Sequence, residues 1–257
     1  ELWKSDGTES GTVIVKDIRP GNDSSNPNDL TDINGTLFFT ANDGINGREL
    51  WKSDGTESGT VLIKDINPGE ADSIKTTFNS EVSSSKLTDV NGTVFFTADD
   101  GSNGTELWQS DGTESGTVLV KDINSGENSS NPANLTNFDG ILYFTADDGS
   151  NGVELWKSDG TADGTVLVED INPGSASSSP GDLTVFEGEL YFNADDGVNG
   201  RELWGLTEDD NNQALILGGD SNDVLLGKEQ DNIIDGLKGD DTLTGGVGHV
   251  CIANRWG

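Results

Sequence analysis

The sequence predicts an all-β fold: a β-propeller-like array of four-stranded blades, with a different, glycine-rich repeat behind it. Three observations carry this. Glu-Leu-Trp recurs at Glu1, Glu49, Glu106, Glu154 and Glu202, at spacings of 48, 57, 48 and 48 residues. Each unit holds four strand-like segments separated by Gly, Asn and Asp turn signals. From Gly218 onward the period shortens to nine residues. Four strands in ~48 residues is the pattern of a propeller blade. Solenoid repeats are usually shorter, and a sandwich of that size has too little core to stand alone.

The strands follow in order within one unit. Leu30-Thr31-Asp32-Ile33 runs into Asn34-Gly35, a strong hairpin signal because both residues accept positive φ. Thr36-Leu37-Phe38-Phe39-Thr40-Ala41 has the aromatic content of a pleated surface. The loop Asn42-Asp43-Gly44-Ile45-Asn46-Gly47 leads to the third strand, Glu49-Leu50-Trp51-Lys52-Ser53. A turn through Asp54-Gly55-Thr56 reaches the fourth strand, Thr60 to Ile66, whose apolar run Val61-Leu62-Ile63 predicts a strand covered on both faces. The one long spacing comes from nine extra residues between Ile66 and Leu87.

Residues 1–18 hold only the third and fourth strands of a unit, and residues 183–204 hold the first three. Three complete blades lie between. The terminal strands either close a four-bladed ring or belong to an arc of a larger one. A chain that opens on Glu1 in mid-motif and contains no Met reads as a fragment or a processed chain.

Charge sets the partners. Against 47 Asp+Glu stand 14 Lys+Arg, a net charge of −33. That excludes nucleic acid, whose phosphates need clustered Lys and Arg, and disfavours an anionic membrane surface. No apolar run approaches the ~20 residues that span a bilayer, so no membrane insertion is expected. Divalent cations are the natural partner. One Cys excludes an internal disulfide, and one His beside it excludes a His/Cys zinc cluster. Residues 208–257 carry ten acids and three bases, leaving 37 against 11 in residues 1–207. Most of the negative charge therefore sits in the large repeats.

Behind an acidic connector at 205–216, the nine-residue period starts at Gly218, Gly227, Gly236 and Gly245. An aliphatic residue fills each eighth position: Leu225, Ile234, Leu243 and Ile252. This resembles the Gly-Gly-x-Gly-x-Asp-x-aliphatic-x nonapeptide of the RTX (hemolysin-type) calcium-binding family. The resemblance implies a short parallel β-roll over 217–252, with six residues of each unit turning around a calcium ion and three forming a strand. Glycine suits such a turn because its backbone takes conformations other residues avoid, and Asp suits Ca²⁺ as a hard oxygen donor. Carried over by position, the metal residues are Asp223, Asp241 and Asn232, with Gly219 and Gly239 in the glycine positions. The fourth unit has Val250 where the Asp belongs, and residues 253–257 lose the pattern. Two nonapeptides make one coil, so turns stack eighteen residues apart. Asp223 then matches Asp241, and Asn232 matches Val250. One competent calcium site and one weak or empty site are expected.

Glu-Leu-Trp-x-x-Asp-Gly-Thr-x-x-Gly-Thr is similar to the motif of the ELWxxDGT repeat family of large secreted or surface bacterial proteins, and the similarity covers residues 1–204. It implies export and a surface role without an agreed chemistry. An RTX tail implies type I secretion into an extracellular, calcium-rich medium.

The repeat offers three candidate sites. Trp3, Trp51, Trp108, Trp156 and Trp204 are either sugar-stacking platforms or inter-blade core, and a Trp at one place in every blade favours core. The Glu before each is either a metal ligand or catalytic acid, or a structural hydrogen-bonding group, and the structural role is favoured. The loops at Asp99-Asp100, Asp147-Asp148 and Asp195-Asp196 are a second, weaker set of calcium candidates, since paired carboxylates repel unless something neutralises them. Catalysis is not expected. His249 and Cys251 lie in the degenerate end, and only the insertion acids Glu70, Asp72 and Glu81 break the symmetry of the repeats. The reading is a secreted, calcium-binding, non-catalytic adhesion or display protein whose partners are calcium ions and cell-surface glycans or matrix proteins. The alternatives are a lectin-like propeller and, behind it, a glycan-active enzyme.

Overall fold

The computed structural model describes residues 1–75 and 86–208, together with strands at 214–217, 224–226, 232–235, 242–244 and 250–252. β1 (Leu2–Lys4) and β2 (Val13–Lys16) pair antiparallel. β3 (Asn28–Ile33), β4 (Thr36–Asn42), β5 (Arg48–Ser53) and β6 (Val61–Leu62) form a four-stranded antiparallel sheet in chain order. β7 (Thr88–Val90), β8 (Thr93–Asp99), β9 (Thr105–Ser110) and β10 (Val118–Lys121) form a second, and β11 (Ala133–Phe138), β12 (Ile141–Asp147), β13 (Val153–Ser158) and β14 (Val166–Glu169) a third. β15 (Gly181–Phe186), β16 (Glu189–Asp195), β17 (Arg201–Glu208) and β18 (Ala214–Leu217) begin the fourth. β19 (Val224–Leu226), β20 (Asn232–Asp235), β21 (Thr242–Thr244) and β22 (Val250–Ile252) follow. The fold is all-β, a propeller-like array of blades followed by a short parallel roll.

The blades close through the hairpins the sequence marks. Asn34 and Gly35 have φ of 52° and 80°, and Asn91 and Gly92 of 54° and 85°, the positive pair that a tight two-residue turn requires.

One reading is refined and one changes. The fourth strand is short and lies at the edge of its sheet, β6 having only two residues, both half-exposed. Its apolar run is nevertheless shared between two faces: Leu62 packs with Trp51 on one, and Ile63, just past the strand, with Leu50 on the other. In β10 a β-bulge between Leu119 and Lys121 interrupts the register. The segment read as a polar connector, by contrast, carries strand at both ends. β17 continues through Gly205 to Glu208, and β18 returns antiparallel to it, with Leu206 opposite Ile216.

Contacts divide the chain into two units, Glu1–Gly149 with Trp156–Val166, and Ser150–Leu155 with Leu167–Gly257. In the first, the core lies between successive sheets. Trp51, Phe39 and Ala41 on one face of the first complete sheet pack on Leu2, Val15 and Ile18. Its opposite face, with Ile33, Phe38 and Leu50, packs on Phe96, Ala98 and Trp108 of the next. Trp51 and Trp108 thus fill the gap between their own blade and the one before, where truncating so large a buried aromatic costs about 3–5 kcal/mol. In the second unit, Leu190, Phe192 and Ala194 are buried along β16.

Candidate functional site

The repeat signature resolves into a self-contained turn. Asp54 Oδ1 accepts from the Thr56 backbone N–H (2.9 Å) and from Thr56 Oγ1 (2.7 Å). Thr56 Oγ1 accepts from Gly59 N (3.0 Å), and Thr60 Oγ1 donates to Thr56 O (2.7 Å). Gly59 is obligatory for space, because a Cβ there would lie 2.0 Å from Asp54 Oδ1. The same bonds recur at Asp111 and Asp159. Lysines then staple one blade to the next: Lys52 Nζ donates to Gly112 O (2.8 Å) and Lys64 Nζ to Thr117 O (2.8 Å).

The Glu of the three inner Glu-Leu-Trp copies is a buried clamp. Glu49, Glu106 and Glu154 are each 0% exposed. Glu106 accepts from Ile123 N (3.0 Å) and Ser130 Oγ (2.5 Å) at Oε2, and from Ser130 N (2.8 Å) at Oε1. Glu154 does the same with Ile171 and Ser178. Glu49 accepts from Ile66 N and Ser73 Oγ at Oε2, and its Oε1 has no partner. Burial pushes the Glu49 carboxyl up to about 8; the Ser73 and Ile66 donors oppose this, and Asp65 nearby adds to it. Burial raises Glu106 and Glu154 as well. Glu1 is half-buried. Burial pulls it up too, but donors from Ile18, Ser25 and Arg19 prevail and hold it below the usual range. The serine partners were missed in the sequence, although a signal was present: Ser25, Ser73, Ser130 and Ser178 each stand 24 residues after their Glu.

The paired-acid loops satisfy themselves. Asp100 Oδ1 accepts from Ser102 N (2.9 Å) and Asn103 N (2.8 Å), and its Oδ2 from Asn103 Nδ2 (2.8 Å). Asp196 makes the same set with Val198 and Asn199. Asp99, Asp147 and Asp195 each accept from the glycine two residues on. Asp99 also pairs with Lys75 at 2.9 Å. Asp148 holds the position of Asp100 in its own loop. Burial raises Asp100 and Asp196, but the loop N–H groups outweigh it and keep both below the ordinary carboxylate range. Loop N–H and amide donors thus hold these carboxylates in place.

Among the Trp residues, Trp51, Trp108 and Trp156 are 5–6% exposed and form core; Trp204 is half-buried, and Trp3 is 59% exposed. Of the insertion acids, Glu70 is exposed, and Asp72 accepts from Arg48 N (2.6 Å) and Asn42 Nδ2 (3.1 Å). Glu81 lies outside the described residues. Among the described residues no three His, Cys, Asp or Glu side chains are grouped to hold a metal.

The nonapeptide strands carry the eighteen-residue register. β18 pairs parallel with β20, Leu215 opposite Ile233, and β20 with β22, Ile234 opposite Ile252. β19 pairs parallel with β21, Val224 opposite Thr242 and Leu225 opposite Leu243. Alternate strands thus fall into two parallel sets, and each aliphatic eighth residue meets its counterpart one coil on. Asn232 opens β20 and pairs with Val250. Asp223, Asp241, Gly219 and Gly239 lie outside the described residues, but the strands that follow Asp223 and Asp241 pair residue for residue.

That register decides the tail. Residues 217–249 match the RTX calcium-binding nonapeptide repeat family, in four copies. No curated protein matches the chain. Among solved structures it is similar to a xyloglucan-locus GH43B protein of Bacteroides ovatus at 15% identity, over 71% of this chain and 38% of that one, with a TM-score of 0.34. It is also similar to an α-L-arabinofuranosidase (CtGH43) of Clostridium thermocellum at 14% identity, over 74% and 71% of the two chains, with a TM-score of 0.30. A GH43 endo-arabinanase of Bacillus licheniformis matches at 15% identity over 76% and 98%, with a TM-score of 0.25. The side chains that the nonapeptide pattern assigns to the metal, Asp223, Asp241 and Asn232, are carboxylates and an amide, donors of the kind that suit Ca²⁺.

Proposed function

We propose that this chain is a secreted or cell-surface bacterial protein in which a non-catalytic repeat scaffold, residues 1–204, is joined through 205–216 to a calcium-binding β-roll at 217–252. The carrying observation is the eighteen-residue parallel register of β18 to β22, the strands that carry and flank the RTX match. Asp223 and Asp241, with the carbonyls of Gly219 and Gly239, would hold the ion. Ca²⁺ would neutralise carboxylates that otherwise repel, so binding and folding of the tail are one event.

What supports a scaffold is that the repeat's acids are spent on structure. The turn Asp and the loop Asp each accept donors from their own loop, and the clamp Glu accepts them from the segment that leads into the next blade. The Trp positions 51, 108 and 156 are packed away, which leaves them no face for a sugar. Resemblance to the ELWxxDGT family supports export and display. Circular dichroism of the whole chain, with and without millimolar calcium, tests the reading. A gain of β signal on adding calcium, absent in Asp223→Ala/Asp241→Ala, supports it; identical spectra would refute it. Glycan-array binding or hydrolysis of a polysaccharide panel would favour the lectin or enzyme alternatives.

A further inference from the structure

In the three inner blades the turn before the fourth strand places it. β6, β10 and β14 follow Asp-Gly-Thr-x-x-Gly-Thr turns whose hydrogen bonds close within themselves, and each strand is the outer edge of its sheet. The fourth blade has no such turn. After Trp204 the sequence runs Gly205-Leu206-Thr207-Glu208, and neither Asp-Gly-Thr nor Gly-Thr-Val follows. Its fourth strand is β18, paired antiparallel with β17 from Gly205 opposite Leu217 to Glu208 opposite Ala214. β18 is not an edge. Its other side pairs parallel with β20, and β20 with β22, so one six-stranded sheet runs β15-β16-β17-β18-β20-β22 within a single unit of the chain. β17 pairs with β16 only as far as Leu206, so Thr207 and Glu208 pair with β18 alone.

Chain order ties this strand to the calcium residues. Residues 218–223 lead from β18 to β19, and residues 236–241 lead from β20 to β21; Asp223 and Asp241 are the last residues of those two links. β18 and β20 have four residues each, and a parallel ladder that short is too small to hold alone. Binding at Asp223 and Asp241 fixes the two links side by side, and with them β18 beside β20. We propose that the roll's calcium site governs the fourth blade: β18, ordered by ion binding at Asp223 and Asp241, is the strand that completes the sheet of residues 181–208. This coupling rests on the calcium reading given above. It is also reciprocal, since a β17 edge that captures β18 spares the roll part of its ordering cost. Asn232 and Val250, the pair without acids, stand at the β20–β22 pairing and not at β18, so an empty second site leaves the blade's support intact.

Hydrogen exchange of the full 257-residue chain, read by mass spectrometry with and without millimolar calcium, tests this. Exchange at residues 205–208 of β17 should slow about tenfold or more with calcium, in step with β20, while β4, β8 and β12 keep their rates. Asp223→Ala/Asp241→Ala should abolish both responses. Slowing at β20 without slowing at β17 overturns the coupling and leaves the calcium reading standing. No response at either strand overturns both. The second arm runs the other way. Thr207→Pro breaks β17 at a residue that only β18 pairs with and leaves the calcium residues untouched. It should weaken calorimetric calcium affinity about fivefold or more, the low end of ordinary coupling between sites. An unchanged affinity overturns the coupling.

Discussion

The buried glutamate of each blade shows how much a single residue settles. In Glu106 both oxygens accept N–H donors, so an amide at that position would set its own NH₂ against the Ser130 N–H. In Glu49 Oε2 carries the hydrogen bonds and Oε1 has no partner, so an amide there loses fewer bonds but still buries its NH₂ without an acceptor. Glu106→Gln should therefore destabilise by about 1–3 kcal/mol, the cost of a buried donor left unmet, and Glu49→Gln by less. Urea midpoints of the two variants check this. Glu49 also predicts a pH dependence. Its folded value of about 8 exceeds the unfolded 4.5, so between those limits the folded chain holds a proton that the unfolded chain releases. Raising pH through that window favours unfolding. Stability should decline from pH 5 to pH 9, and the decline should be shallower in Glu49→Gln. Asp100 and Asp196 act in the opposite sense: held below 3.8, they stabilise above that value and lose their contribution in acid.

At the scale of elements, most of the blade was legible. Strands two and three, the Asn-Gly hairpin and the Trp core follow from period-2 patterning, positive-φ turn residues and recurrence. The fourth strand was legible in part: the run Val61-Leu62-Ile63 does divide between two faces, Leu62 with Trp51 and Ile63 with Leu50, but the shortness of β6, two residues, leaves no mark in the hydrophobic pattern. The clamp partners were legible in principle, since a serine recurs at one fixed distance. They were missed because a hydrogen bond across 24 residues leaves no local pattern. In the tail, the nine-residue phase gave the strand pairing, and with it a design test. Asn232 pairs with Val250 in the coil lacking a complete set of acids. Asn232→Asp combined with Val250→Asp should add a second calcium ion, read as a rise in calorimetric stoichiometry, whereas either change alone should not.

For the whole molecule, the net charge of −33 is the dominant long-range force. Much of it is met locally by backbone donors, as at Asp54, Asp100 and Asp111, and little by cations. Arg19–Asp23 and Lys75–Asp99 are ion pairs among the described residues. Self-repulsion of the remaining charge should yield to screening, so the thermal midpoint is expected to rise between 0.05 and 0.5 M sodium chloride, where the Debye length shrinks from more than ~10 Å to less than half that. Calcium should do more at millimolar concentration than sodium does there, because it is bound and not merely screening. The most direct measurement is isothermal titration of calcium into the full chain beside Asp223→Ala/Asp241→Ala. The account predicts one tight site in the parent and none in the double variant. Two tight, equal sites in the parent, or a tight site that survives both substitutions, would contradict it.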